Sequence, residues 1–150
     1  MPNRNINVVY MEIAERLATL SYAERKKVGA IIVKDDTIIG TGYNGTPKGF
    51  SNVCEEIGDN FNGHRMEQVS VTKREVLHAE SNAIMKCAKS TQSSEGSTLY
   101  VTMSPCFECS KLIIQSGIER VFYKEEYRDK EGIELLKSSG INVLKLNTES

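Results

Sequence analysis

The sequence holds no apolar run near the roughly 20 residues that a bilayer-crossing helix needs. That absence argues against a membrane partner. No hydrophobic stretch of signal-peptide type follows Met1-Pro2-Asn3-Arg4, so a cytoplasmic location is expected. A basic excess is missing as well. The formal net charge is −1, whereas a binder of long polynucleotides usually carries a surplus of Lys and Arg to neutralise phosphates, so no nucleic-acid polymer is expected as partner. Internal repeats and long linkers are also lacking, and residues 1–150 are expected to form a single domain. What is present is ordinary for a folded protein: 39% hydrophobic and 26% charged residues. Four cysteines, Cys54, Cys87, Cys106 and Cys109, would be reduced in a cytoplasmic setting, which favours metal binding or burial over disulfides.

Apolar periodicity divides the chain into alternating elements. Val9, Ile13, Leu17 and Leu20 recur at helical spacing, with Glu12, Glu15 and Arg16 between them, which predicts an amphipathic helix over Asn5–Leu20. Val28–Lys34 and Thr37–Tyr43 read as strands joined at Asp35-Asp36, a hairpin signal without its usual Gly. The Gly, Asn and Pro density of Gly42–Gly49 predicts a loop. Asn52 to Arg74 loses periodicity and is expected to be a long, mobile excursion of the kind that often carries function. Beyond it come a helix over His78–Lys89 with Ile84, Met85 and Ala88 as its apolar stripe, a strand at Thr98–Met103, and a helix from Pro105 to Gly117. A strand at Arg120–Tyr123, a helix at Lys130–Ser139 and a strand at Asn142–Leu146 complete the series. A hairpin followed by helix–strand units implies a three-layer α/β/α fold around a mixed five-stranded sheet.

Two short motifs open the two central helices, His78-Ala79-Glu80 and Pro105-Cys106-Phe107-Glu108-Cys109. Zinc takes neutral imidazole and thiolate ligands, and a catalytic zinc keeps three of them plus an open position for water. Cys106 and Cys109, three apart on a helix, share one face, and His78 supplies a third donor. The positive end of a helix dipole favours the thiolate that binds metal. Glu80, two positions after His78, is free to take a proton from the water and pass it on. The competing reading is a structural zinc or plain buried thiols; it lacks a fourth matching ligand and gives Glu80 no purpose.

These residues match the histidine-x-glutamate and proline-cysteine-x-x-cysteine signature of zinc nucleobase deaminases. From Lys26 to Tyr123 the chain resembles the cytidine-deaminase-like superfamily, and within it deoxycytidylate deaminases. The strings that carry the likeness are Lys27-Val28-Gly29-Ala30, Gly42-Tyr43-Asn44-Gly45-Thr46-Pro47, His78-Ala79-Glu80-Ser81-Asn82-Ala83-Ile84, Ser104-Pro105-Cys106 through Cys109, and Lys111 to Ile118. Free cytidine deaminases resemble it less, having a third cysteine where this chain has His78. Transfer-RNA adenosine deaminases share the histidine but are usually more basic.

The resemblance implies hydrolytic deamination of dCMP to dUMP and ammonia, which feeds thymidylate synthesis, with Zn2+ held by His78, Cys106 and Cys109 and Glu80 as proton shuttle. It implies sugar contact by Asn44 and substrate contact by Ala79. Arg25 and Lys26 are candidates for the phosphate; Tyr127 is a candidate to stack on the pyrimidine and Arg128 to pair with the phosphate. Each has a plainer alternative: Asn44 as a turn residue, Arg25 and Lys26 as solvated charges, Tyr127 and Arg128 as exposed loop. The family is commonly a homohexamer activated by dCTP and inhibited by dTTP with Mg2+, which would place an effector against Gly42, Tyr43, Asn44 and Gly45; a loop that only lines the substrate site competes. Cys54 and His64 raise a second zinc without a full ligand set, so a buried thiol and a surface imidazole are expected instead. Cys87 reads as core, and Val9, Ile13, Leu17 and Met85 as core or subunit interface. Deamination of RNA, a free base or dCTP, and a zinc-holding interaction module, stand as the other functions.

Overall fold

The computed structural model describes residues 5–61 and 66–147. Helix α1 (Ile6–Ala18) precedes strands β1 (Gly29–Lys34) and β2 (Thr37–Tyr43), then β3 (Glu55–Phe61) and β4 (Met66–Thr72). Helix α2 (Ala79–Ala88), strand β5 (Thr98–Met103), helix α3 (Phe107–Gln115), strand β6 (Arg120–Glu125), helix α4 (Glu131–Ser138) and strand β7 (Asn142–Lys145) follow. Five strands form one sheet in the order β2-β1-β5-β6-β7. β1 pairs antiparallel with both β2 and β5, whereas β5–β6 and β6–β7 are parallel, so the sheet is mixed as expected. No helix among the described residues is long and apolar enough to cross a membrane.

Successive residues of the central strands face opposite layers. Ala30, Ile32, Leu99, Val101 and Val121 pack with Ala83 and Cys87 of α2, Ile113 of α3 and Leu136 of α4. Ile31, Val33, Tyr100 and Phe122 pack instead with Tyr10, Met11 and Ala14 of α1. Three helices on one face and one on the other make the three-layer α/β/α arrangement. The Asp35-Asp36 turn closes β1 to β2 with both residues left-handed, at φ 50° and 58°, which supplies the twist of a two-residue hairpin without glycine.

Three expectations are corrected. The fully buried face of α1 is Tyr10, Met11, Ala14 and Ala18, one position off the aliphatic stripe; of that stripe Ile13 and Leu17 pack half-buried against the core, while Val9 and Leu20 are 49% and 54% exposed. Small Ala14 and Ala18 let the helix approach Gly29 so closely that a Cβ there would collide with the Ala14 carbonyl, and the contact centres on them. In α2 the buried positions are Ala79, Glu80, Ala83, Ile84 and Cys87, while Met85 is 50% exposed and Ala88 is exposed too. The stripe runs through Glu80, and a carboxylate in that place hides it from a hydrophobicity count.

The third correction concerns Asn52 to Arg74. It contains an antiparallel hairpin, with register from Glu55↔Thr72 to Phe61↔Met66, forming a separate two-stranded sheet. Ile57 is 74% exposed, and β4 alternates only between exposed and half-buried residues. Without a core behind it, the hairpin has no strong apolar alternation to announce it. Strand β2 ends at Tyr43, where the sequence placed its end, so the irregular part of Gly42–Gly49 begins at Asn44.

Candidate metal centre and substrate cleft

Both motifs lie where a strand hands over to a helix. His78 is the N-cap residue of α2, with an extended backbone and an imidazole that makes no cap bond. Cys106 is the N-cap of α3, and its Sγ accepts from the Cys109 N–H at 3.5 Å. Two close approaches fix these ends. Gly42 lies under α2, where a Cβ would overlap the Ala79 carbonyl and stand 2.7 Å from the Ala83 nitrogen. Gly132 of α4 packs against the backbone of Pro105 and Cys106 in the same manner.

The result is a cluster of three donors. His78 Nδ1 is 3.2 Å from Cys109 Sγ and 3.6 Å from Cys106 Sγ, and all three donor atoms lie within 4.8 Å of one another. Tetrahedral zinc with its usual bond lengths requires nitrogen–sulfur separations of about 3.6 Å. The donor set and its spacing therefore fit zinc, with one position left over. Among the described residues this is the one cluster of His, Cys, Asp and Glu able to hold a metal; Cys54 is buried and belongs to none, Cys87 is core, and His64 lies outside the described residues.

The charges at the cluster oppose one another until a cation arrives. Hydrogen bonds from Cys109 and His78 hold the Cys106 thiol down at about 4. Hydrogen bonding to Cys106, together with burial, pushes the Cys109 thiol up, and hydrogen bonding to Cys106 also raises His78. One thiolate thus forms readily and discourages the second, the conflict that a divalent ion removes. Glu80 is 4% exposed in the first turn of α2, and burial lifts its carboxyl to about 7. A carboxyl in that range both gives and takes a proton at neutral pH.

A cleft of about 270 Å³ opens onto His78, Glu80 and Cys106. Residues 5–125 match the family described as the cytidine and deoxycytidylate deaminase zinc-binding region. The chain belongs to the cytidine and deoxycytidylate deaminase family. It is 40% identical over 149 residues to the deoxycytidylate deaminase of Enterobacteria phage T4, covering 78% of this chain and 77% of that one. The enzyme of the same name from Mycobacterium phage D29 is 42% identical over 120 residues, covering 78% and 92%. A solved dCMP deaminase from cyanophage S-TIM5, in complex with dCMP and dUMP, superposes with a TM-score of 0.83 at 41% identity, over 97% of this chain and all of that one. The zinc-binding family and the fitting donor set together support Zn2+ here.

Family membership directs attention to the remaining walls of the cleft. Arg25, Lys26, Asn44, Ala79 and Tyr127 line it; Arg128 is exposed and does not. Asn44 faces the cleft yet is also structural, accepting from the Val28 N–H and donating to the Lys26 carbonyl, both at 2.8 Å. The Lys26 amine is 2.6 Å from Glu125. Thr72, Val76, Met103 and Ser104 also line the cleft, and sequence reasoning passed over them. Met103 and Ser104 directly precede Pro105 and were within reach of the motif, whereas Thr72 belongs to the segment whose periodicity was too faint and Val76 lies between that segment and His78.

The expected effector surface changes character. Gly42 and Tyr43 are in β2, the Asn44 N–H donates to the Val28 carbonyl, and Gly45 bridges to Leu77 in both directions. Backbone donors at Asn44 and Gly45 thus serve the fold rather than a phosphate. A second, smaller cavity of about 210 Å³ is lined by Thr46, Phe50, Ser51, Glu56, Lys73 and Glu75.

Proposed function

We propose that this protein is a zinc-dependent hydrolase that converts dCMP and water to dUMP and ammonia. The observation that carries this reading is the position of Glu80, a buried carboxyl two residues after His78 on the wall of a cleft that also exposes a zinc-type donor set. Likeness to deoxycytidylate deaminases supports the nucleotide as substrate. Bound by His78, Cys106 and Cys109, zinc supplies an activated water at neutral pH.

The chain's own residues do the rest. Glu80 accepts a proton from the attacking water and delivers it to the ring nitrogen beside the amine-bearing carbon; it then takes the remaining proton of the newly added hydroxyl as the carbonyl forms and hands it to the amine, which leaves as ammonia. Its burial keeps bulk solvent from competing for that proton. Ala79, with no side chain beyond Cβ, leaves room for the flat base, and Tyr127 offers it an aromatic face. Asn44 meets the sugar while it fixes the backbone beneath Lys26 and Val28. Arg25 and Lys26 receive the phosphate, with Arg128 as an outer partner that would have to swing inward.

The whole of residues 1–150 acts as one deaminase domain in this reading, in the cytoplasm, where the four free cysteines stay reduced. Activation by dCTP and inhibition by dTTP, with Mg2+ on the triphosphate, is the regulatory half of the proposal; the cavity beside the Gly42–Gly49 loop would offer the Thr46 and Ser51 hydroxyls and the Lys73 ammonium to phosphate, and its Glu56 and Glu75 carboxylates make Mg2+ on the triphosphate a requirement. Exposed Met85 on α2 and Phe107 and Leu112 on α3 support burial between subunits of a homohexamer. Net charge argues against a polynucleotide as substrate.

Ammonia release is the direct test, with cytidine, deoxycytidine, dCMP and dCTP offered to the zinc-loaded protein. A clear preference for dCMP in kcat/KM is expected, and release from none of the four rejects the function. Rate curves with and without dCTP and dTTP test the regulation, which fails if they are identical and hyperbolic.

A further inference from the structure

Between the end of α1 and the start of β1, residues 19–28 form no regular element, yet Arg25 and Lys26 of this segment face the cleft. Side chains hold it in place of a backbone ladder. Ser21 Oγ donates to the Asn44 carbonyl at 2.7 Å and accepts from the Ala23 N–H at 3.1 Å. Asn44 clamps Lys26 and Val28. The bend between these anchors, at Glu24 and Arg25, is held from elsewhere: a single carboxylate oxygen, Glu55 Oε2, accepts from the Glu24 N–H at 2.9 Å and the Arg25 N–H at 3.1 Å. Among the described residues nothing else accepts from these two groups.

Glu55 is half-buried and opens β3, the first strand of the separate hairpin. It does not line the cleft, so it has no direct claim on substrate. Two charge-assisted bonds from consecutive amides fix the peptide that carries Arg25, and they tie the hairpin to the cleft rim. We propose that Glu55 is a positioning residue for phosphate specificity: by pinning the Glu24–Arg25 peptide it aims Arg25, and with it Lys26, at the phosphate of a nucleoside monophosphate. This inference rests on the reading in which those two cations receive the phosphate.

An apparent objection is that a carboxylate beside two cations weakens their pull on an anion. The geometry answers it through the role of the oxygen rather than the charge. Glu55→Gln keeps an oxygen able to accept from both amides and removes the charge. Glu55→Ala removes both. Glu55→Thr preserves strand propensity but is too short to reach, and it replaces the alanine variant should that one fold poorly.

The experiment uses zinc-loaded protein and measures KM and kcat for dCMP, together with inhibition constants for dUMP and deoxyuridine, which differ by the phosphate. Glu55→Ala and Glu55→Thr are expected to raise KM for dCMP and the constant for dUMP about tenfold, the equivalent of a lost charge-assisted contact, with deoxyuridine changed less than about twofold. Glu55→Gln, which keeps the acceptor but loses the charge assistance, should lie closer to the parent than to the alanine variant on all three, and a loss as large as that of Glu55→Ala counts against the proposal. Equal weakening of dUMP and deoxyuridine, no change in either, or tighter dUMP binding in the alanine variant overturns the proposal. Arg25→Ala and Lys26→Ala run alongside: if neither separates dUMP from deoxyuridine, the phosphate reading itself is wrong and the role of Glu55 goes with it.

Discussion

His78 and Cys109 meet at 3.2 Å, Nδ1 to Sγ, although each is held by a different helix and strand β5 runs between them in sequence. Only the common direction of the α2 and α3 N-termini brings them together. Removing one member should therefore empty the site rather than reshape it. His78→Ala and Cys106→Ala are expected to lose bound zinc and all turnover, while the alternating core on both sheet faces keeps the fold. Metal content by atomic absorption, set beside circular dichroism, checks this; one zinc per chain in either variant would contradict the ligand assignment.

Zinc affinity should rise with pH. In the metal-free site His78 and Cys109 both hold protons more tightly than usual, and both must give them up to bind zinc. Protons and metal thus compete, and acid favours the metal-free form. Titration with a chelator at several pH values should show easier stripping as pH falls, and affinity independent of pH would be inconsistent with these three donors.

Glu80→Gln separates chemistry from metal binding. The amide fills the same space in the buried first turn of α2 but cannot carry a proton, and it removes no donor from the cluster. Zinc should remain at one per chain while kcat falls by about 10²- to 10⁴-fold, the usual worth of a positioned acid–base group. Turnover within tenfold of the parent would show that the carboxyl is not the shuttle.

How much of this was legible in the residues depends on whether a core stood behind them. Leu99, Val101 and Val121 are buried in a sheet covered on both faces, so their strands announced themselves. Ile57 and Met66 of the β3–β4 hairpin are exposed, and nothing in their pattern distinguished a strand from an irregular excursion. The cluster of His78, Cys106 and Cys109 and the buried Glu80 beside the cleft could be singled out in the sequence because chemistry restricts both residue type and spacing. Glu55 was not, since a carboxylate that accepts from two backbone amides 30 positions away leaves no local mark.

Gly42, near the end of β2, and Gly45, just beyond it, offer a paired test of what α2 rests on. A Cβ on Gly42 would strike the backbone of α2 at Ala79, and since backbone cannot rotate aside, the helix must shift. Gly42→Ala should cost about 1–3 kcal/mol in stability and displace His78 and Glu80 enough to lower kcat. At Gly45 a Cβ meets nothing within 4 Å, so Gly45→Ala should leave denaturation midpoints nearly unchanged. Equal effects of the two substitutions would mean that α2 does not rest on Gly42.

Lys26 and Glu125, 99 residues apart in sequence, are joined at 2.6 Å beside the cleft, with both side chains about half exposed. At that exposure the pair contributes less than about 1 kcal/mol to stability, so Glu125→Gln should hardly move the unfolding midpoint. Its effect should appear in binding, because a phosphate approaching Lys26 must compete with the Glu125 carboxylate. Removing that charge is expected to lower KM for dCMP by about two- to threefold at low salt, and the gain should shrink at 0.5 M salt as screening shortens the reach of both charges. An unchanged or higher KM at low salt would place Lys26 outside the path of the phosphate and leave Arg25 to receive it alone.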